Sequence, residues 1–150
     1  MRPLIPPPVI AVFFAGIAFG IDVFSPFDLL LRGARHPASL SFVVVGLAVI
    51  GLGIAGFRHH KTTISPYAID KANALVTSGI YRFTRNPMYL GMLLILLGIV
   101  AYTQDVLALL APIGFLITLN RLQIRPEERA LRRAFGPAYD AYCARTRRWI

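Results

Sequence analysis

The fold is decided at residues 77–98, TSGIYRFTRNPMYLGMLLILLG, where a polar and aromatic loop runs directly into an apolar helix. Pro87 suits the first turn of that helix, because its φ is already helical and its missing N–H would have no partner there. The residue before a proline is biased away from the α region, so Asn86 is expected to be extended. The loop would then form an ordered rim just outside a bilayer. The same pattern is also typical of an aromatic and arginine interfacial anchor, and spacing alone favours that simpler interpretation.

Composition indicates an integral membrane protein of one domain, residues 1–150. Of the 150 residues, 56% are hydrophobic and only 15% are charged, which is more apolar surface than a soluble core of this size needs. The net charge of +9 resides in loops and a tail between apolar blocks, so anionic headgroups explain it better than nucleic acid does. The lone Cys143 excludes an internal disulfide, and the adjacent His59 and His60 lack a third ligand. We therefore predict no metal site.

The hydrophobic pattern predicts an all-α protein with about four transmembrane helices. The first run continues past Phe24 without a cleavage site, so it is interpreted as a retained helix rather than a signal peptide. The glycines of the second run predict a packing face, and a proline and a glycine in the fourth run, Pro112 and Gly114, predict a kink. A short turn makes the third and fourth helices an antiparallel hairpin. The predicted spans are residues 9–24, 39–57, 87–102 and 106–120, followed by a cytoplasmic tail, 121–150.

Charge asymmetry sets the expected orientation. With four spans, fourteen Lys and Arg residues fall on the side that holds both termini, against two on the other side. Both termini are therefore expected in the cytoplasm, with a bacterial inner membrane as the expected location. The rim before Pro87 and the tail would then share one face of the membrane, as a composite site requires.

The tail is expected to be helical in two pieces, with Pro126 at the start of the first and Gly136 at its end. Glu127 and Glu128 fall in the first turn, where the helix dipole favours carboxylates. Leu131, Phe135, Tyr139 and Tyr142 would form an aromatic face, with arginines elsewhere. The simpler interpretation is an amphipathic helix lying on an anionic bilayer.

Two separated motifs carry a family resemblance. GIYRFTRNPMYLG at 79–91, followed by RPEERALRRAFGPAYDAYCARTRRWI at 125–150, resembles the isoprenylcysteine carboxyl methyltransferase and phospholipid methyltransferase superfamily. The resemblance covers about residues 62–150, including TTISP at 62–66. The eukaryotic-type signature has histidine where this chain has Asn86, a difference that concerns the methyl acceptor more than the cofactor.

The resemblance implies an integral membrane enzyme that transfers a methyl group from S-adenosylmethionine to a lipophilic acceptor with a carboxylate or amine head group. The cofactor would lie between the third helix and the tail, with one carboxylate on its ammonium group, and the resemblance ranks Glu128 above Glu127. Gly91 would allow close approach of the cofactor or of the fourth helix. The expected catalytic residues are Arg85, Asn86 and Glu128. The expected cofactor-binding residues are Tyr81, Arg85, Asn86, Pro87, Tyr89, Gly91, Glu127, Glu128, Tyr139 and Tyr142.

Two other classes of function stay open at this point. One is a membrane reductase that modifies lipids, although the chain lacks a nicotinamide-binding signature. The other is a non-catalytic protein that binds lipid through its basic tail. The cofactor that the purified protein binds would distinguish the three.

Overall fold

A computed structural model describes residues 5–25, 35–59 and 75–150, and the predicted all-α fold is confirmed there. The helices are α1 (Pro7–Phe24), α2 (Arg35–His59), α3 (Pro87–Thr103), α4 (Leu110–Leu119), α5 (Arg125–Phe135) and α6 (Pro137–Arg145). Short 3₁₀ turns occupy Gly79–Arg82 and Leu107–Leu109, and a π-helical turn occupies Asn120–Ile124. His60 and the 62–66 segment of the resemblance lie outside the described residues.

The predicted transmembrane helices are present. Three helical segments of the described chain are long and apolar enough to cross a bilayer, Pro7–Phe24, His36–His59 and Leu107–Phe135, and α3 is a shorter apolar helix of 17 residues. The fourth helix does not end near residue 120 as predicted, because the π turn joins α4 to α5 without a break. The apolar part ends at Asn120, and the continuation carries the charged residues of the tail.

Glycines bring α2 and α3 into backbone contact. A Cβ added to Gly91 would lie 2.5 Å from the Gly46 carbonyl oxygen, and one added to Gly46 would lie 2.7 Å from the Gly91 carbonyl oxygen. Gly98 also has close neighbours on α2, at 3.0–3.2 Å from an added Cβ, so it packs against the same helix. The close partner of Gly91 is therefore α2, and the expectation that this glycine admits the fourth helix is wrong. In α2 the predicted packing face is correct except at Gly51, which has no atom within 4 Å.

The other side of α3 packs against α1 and α4. Phe115 and Leu119 of α4 are fully buried in a cluster that includes Leu96 of α3. Pro112 lies in the first turn of α4, where a missing N–H costs little, so the departure from α geometry occurs at the π turn instead. Gln104, with φ of 60°, ends α3 in the left-handed conformation and starts the predicted hairpin.

Candidate functional site

The rim before α3 is fastened to the last residues of the chain. The backbone N–H of Arg85 donates to the Arg147 carbonyl at 3.0 Å, and the Asn86 side-chain amide donates to the Arg148 carbonyl at 3.0 Å. The Tyr142 hydroxyl donates to the Tyr81 carbonyl at 2.7 Å. Asn86 has φ of −130° and ψ of 58°, so it avoids the α region as expected before Pro87, but it does not have the extended backbone that was predicted. The rim and the tail therefore share one end of the helix bundle.

The N-terminal end of α1 is at the same end of the bundle. The side-chain amide of Gln123, a residue of the π turn, donates to the backbone carbonyl of Ile5. This contact joins the start of the chain to the segment that carries the tail. The shared end predicted for the N-terminus, the rim and the tail is therefore present in the structure.

Glu128 is held between two arginines. Arg85 Nη2 lies 2.9 Å from Oε1 of Glu128, and Arg148 contacts both carboxylate oxygens, at 2.9 Å from Nε and 2.6 Å from Nη2. The side chains of Arg85 and Glu128 are only 14% and 16% exposed, whereas that of Arg148 is 35% exposed, so water reaches this triad mainly from the Arg148 side. The bidentate pair with Arg148 fixes the plane of the carboxylate. Glu128 therefore has its charge compensated from within the chain.

Glu127 differs from its neighbour in its partners. Its Oε1 accepts a 2.6 Å hydrogen bond from the Tyr89 hydroxyl, and no arginine, lysine or histidine of the described segments pairs with it. Burial raises the pKa of Glu127 to about 7, with a further rise from the charge of Glu128, while the Tyr89 hydrogen bond lowers it. Glu127 is thus a partly buried acid whose raised pKa lies near neutral pH.

Three of the predicted site tyrosines form a separate aromatic cluster. Tyr81, Tyr139 and Tyr142 are at most 4% exposed and pack with Val76. The Tyr81 hydroxyl donates to the Gly53 carbonyl at 3.3 Å, which ties the rim to α2. Burial raises the pKa of all three phenols above the ordinary value, so each stays neutral. Their contacts hold the tail, the rim and α2 together.

The structure therefore divides the predicted site residues into two groups. The first group meets at the start of α3 and the first turn of α5: Arg85, Asn86, Pro87, Tyr89, Glu127 and Glu128. The second group contributes to packing around it: Tyr81, Tyr139 and Tyr142 in the aromatic cluster, and Gly91 against α2.

Arg148 is the main residue that sequence reasoning missed, and Thr84 is another. The Thr84 hydroxyl donates to the Arg148 carbonyl at 3.3 Å. Arg147 is exposed whereas Arg148 is partly covered, as expected of alternating side chains in an extended segment. The extended backbone at Thr146, which makes consecutive arginines face opposite ways, is seen only in the structure, so the sequence offered no signal that distinguishes Arg148 from its neighbours.

Two buried polar atoms at this end of the bundle lack partners among the described residues. Nε of Arg85 and Nε1 of Trp149 are buried donors without an acceptor among the described residues, and Trp149 packs on the cluster that contains Tyr89. Buried donors without partners are costly unless a ligand or water satisfies them. Glu127 has no basic partner among the described residues, and Arg85, which contacts the adjacent Glu128, has an unused donor, so together they fit a ligand that carries both a cationic and an anionic group.

Comparison with known proteins gives a family match. The model of the family described as phospholipid methyltransferase matches residues 34–138, more than two thirds of the chain. The matched range includes the rim, α3 and all of α5. An uncharacterized protein of Haemophilus influenzae is 41% identical over 63 residues, which are 42% of this chain and the whole of that protein. No solved structure matches the chain.

Proposed function

Because this chain belongs to the phospholipid methyltransferase family, we propose that it transfers a methyl group from S-adenosylmethionine to a lipophilic acceptor at the membrane interface. The observation that supports the proposal most is the difference between the two adjacent glutamates. Glu128 has its charge compensated by Arg85 and Arg148, whereas Glu127 accepts a hydrogen bond from Tyr89 and has no basic partner in the described chain. The methionine part of the cofactor carries an ammonium and a carboxylate. These two groups would be partners for Glu127 and for the unused donor of Arg85.

Glu127 is the residue that we assign to the ammonium group. Bringing a cation to a buried carboxylate favours its ionised form and removes the cost of its burial. Glu128 already has two arginine partners, so an added cation would gain less there. This assignment reverses the ranking that the resemblance gave. Glu128 and Arg148 then act as positioning residues that hold Arg85.

Arg85 is assigned to the carboxylate of the same ligand. Its Nη2 is committed to Glu128, and Nη1 lies 3.4 Å from the Cys143 carbonyl, but Nε has no partner in the described part of the chain. A guanidinium can hold a carboxylate while it keeps its other hydrogen bonds. Asn86 fastens the rim to the tail and so keeps Arg85 in place.

The chain's contribution to the reaction is position and exclusion of water. When bound, the cofactor would supply a methyl group on a positively charged sulfur, which needs no covalent nucleophile from the protein. Aligning the acceptor with that methyl group in a site shielded by Tyr89 and Trp149 lowers the barrier through proximity. The residues needed are therefore those that fix the two substrates.

The acceptor is proposed to enter from the bilayer. The apolar helices α3 and α4 carry the site at one end, so a lipid tail can lie along them while its head reaches the rim. A long-tailed amphiphile with a carboxylate or amine head satisfies this geometry. The apolar part would supply the binding energy that orients the head.

A cofactor titration tests the proposal. Full-length protein in detergent is titrated by calorimetry with S-adenosylhomocysteine, and separately with NADPH, and is then incubated with methyl-labelled S-adenosylmethionine and a membrane lipid extract. We expect binding of the first ligand and label in the lipid fraction. Binding of NADPH alone would indicate the reductase, and binding of neither would indicate a lipid-binding protein without this activity.

A further inference from the structure

A line of exposed side chains runs along one side of the helix Leu107–Phe135, and it contains none of the site residues described above. Ile113 and Ile117 are each 50% exposed, and Arg121, Arg125 and Arg129 are exposed beyond them. These five residues, four apart in sequence, are called the 113–129 stripe below. It passes from the apolar part of the helix to the charged part without a change of face.

The π turn keeps this stripe on one face. In a regular α-helix, residues four apart drift by about 40° at each step, so 113 and 129 would differ by about 160°. A π turn accommodates about one extra residue, which turns the following helix back by roughly 100°. The turn at Asn120–Ile124 lies in the middle of the stripe, so the two ends of the stripe differ by only about 60°.

The three arginines of the stripe form no ion pair with the residues that the structure describes. In the ranges that the structure describes, no carboxylate lies within ion-pairing distance of any of them, whereas Arg132 on the same helix pairs with Asp140 at 2.7 Å. Glu127 lies on the opposite face of α5 and contacts Tyr89, and Glu128, which is nearer to the stripe, is held by Arg85 and Arg148. Among the described residues, the stripe is thus a row of cations without carboxylate partners at the point where the helix leaves its apolar part.

The dimensions match one phospholipid. Ile113 and Arg121 are eight residues apart, about 12 Å along a helix, and one leaflet of the hydrocarbon core is about 15 Å thick. An acyl chain can therefore cover the two isoleucines while the phosphate reaches the arginines. Guanidinium groups are suited to phosphate because they donate two parallel hydrogen bonds.

We propose that the 113–129 stripe is a binding site for one anionic phospholipid of the leaflet that borders the tail, separate from the Glu127 site. Charge complementarity selects the occupant: three exposed cations, which pair with no carboxylate of the described chain, favour a lipid with net negative charge over a zwitterionic one. The proposal rests on no part of the proposed methyl transfer, and its test needs neither cofactor nor acceptor.

Native mass spectrometry of the full chain released from detergent micelles measures the site directly. Phosphatidylglycerol is compared with phosphatidylcholine of the same acyl chains. We expect one phosphatidylglycerol to be retained in preference to phosphatidylcholine. The variant Arg121→Gln/Arg125→Gln/Arg129→Gln should bind phosphatidylglycerol at least about tenfold more weakly, since each arginine contributes separately to the attraction.

The matched control removes the same charge elsewhere in the tail. Arg133→Gln/Arg145→Gln/Arg147→Gln changes three exposed arginines outside the stripe and should retain phosphatidylglycerol within about twofold of the wild type. If the triple stripe variant does not fold by circular dichroism, Arg125→Gln alone is used, with about a threefold loss expected. Equal losses in the stripe variant and the control would overturn the proposal, because the attraction would then follow net charge. Equal retention of phosphatidylcholine, or equally tight binding of free glycerol phosphate, would also overturn it.

Discussion

The assignment of Glu127 to a ligand ammonium predicts a specific pH dependence of binding. The perturbation is Glu127→Gln, which keeps the size of the side chain and its ability to accept from Tyr89 but removes the titration. Tyr89→Phe is the matched variant, because it leaves the acid and removes the 2.6 Å hydrogen bond that lowers its pKa. The measured quantity is the affinity for S-adenosylhomocysteine from pH 5.5 to 9.

The magnitude follows from the pKa of Glu127, which burial raises from 4.5 to about 7. An ammonium partner should return the pKa of Glu127 in the bound state toward its ordinary value. Because one pKa unit corresponds to about 1.4 kcal/mol, the ionisation of Glu127 and ligand binding are coupled by up to about 3 kcal/mol. Affinity should rise about tenfold per pH unit between roughly pH 5 and 7. It should fall again above about pH 8, because the ligand's own α-amino group then loses its proton.

Isothermal titration in buffers of different ionisation enthalpy adds a proton count. Below pH 7 most Glu127 side chains carry a proton that must be released when the ligand binds. The expected release is about 0.9 proton per bound ligand at pH 6 and about 0.5 at pH 7. In Glu127→Gln the rise in affinity between about pH 5 and 7, here called the acidic limb, should be absent, and no proton should be released on binding. The binding free energy of this variant near pH 7.5 should be weaker by about 1.5–3 kcal/mol. Tyr89→Phe should move the acidic limb to higher pH. An acidic limb that survives in Glu127→Gln would refute the assignment.

Four further outcomes are expected. Thermal unfolding of the ligand-free protein, followed through Trp149 fluorescence, should show a contribution of Glu127 to stability that is complete below about pH 4.5 and is lost as the pH rises through about 7, because the folded state binds the Glu127 proton more tightly. In Glu127→Gln this decline should be absent. Arg148→Gln should cost about 1–3 kcal/mol of stability by leaving Glu128 with one partner, and a melting temperature equal to wild type would contradict the triad. Gly91→Ala should destabilise by about 1–3 kcal/mol because its Cβ meets the α2 backbone, whereas the control Gly51→Ala, in open space, should stay within about 1 kcal/mol of wild type. A long-tailed amphiphile should be methylated with a kcat/KM orders of magnitude above that of the same head group without its tail, since each buried CH₂ contributes about 0.8 kcal/mol, and equal rates would indicate a soluble acceptor.

The helices could be predicted because their signals are local. Apolar runs longer than a soluble core requires, Pro87 at a first turn and Gly136 after Phe135 each mark an element without reference to the rest of the chain. The site carboxylates could be predicted only in part. Sequence places Glu127 and Glu128 side by side but contains nothing that pairs one with arginines and the other with a tyrosine.

Contacts between distant segments could not be predicted. Arg148 is one of eight basic residues in the tail, and its inward direction depends on the extended segment that follows α6. The contact of Gly91 with Gly46 depends on which neighbour α3 chooses, and the apolar pattern of α3 is nearly uniform around the helix. In both cases the missing information is tertiary.

The π turn at Asn120–Ile124 connects these observations, because the helix on which it lies carries both the site and the stripe. A regular helix from Leu107 to Phe135 would rotate α5 by roughly 100° relative to α4. Glu127 and Glu128 would then no longer face Tyr89 and Arg85 while Phe115 and Leu119 remained in the core. Because of the extra residue, one continuous helix can satisfy both orientations. The buried face of α4 is directed toward α1 and α3, and the carboxylates of α5 are directed toward the start of α3. A sequence pattern read with a single helical period cannot reveal such a turn, and this is why the orientation of the tail, and with it the site, emerges only from the structure.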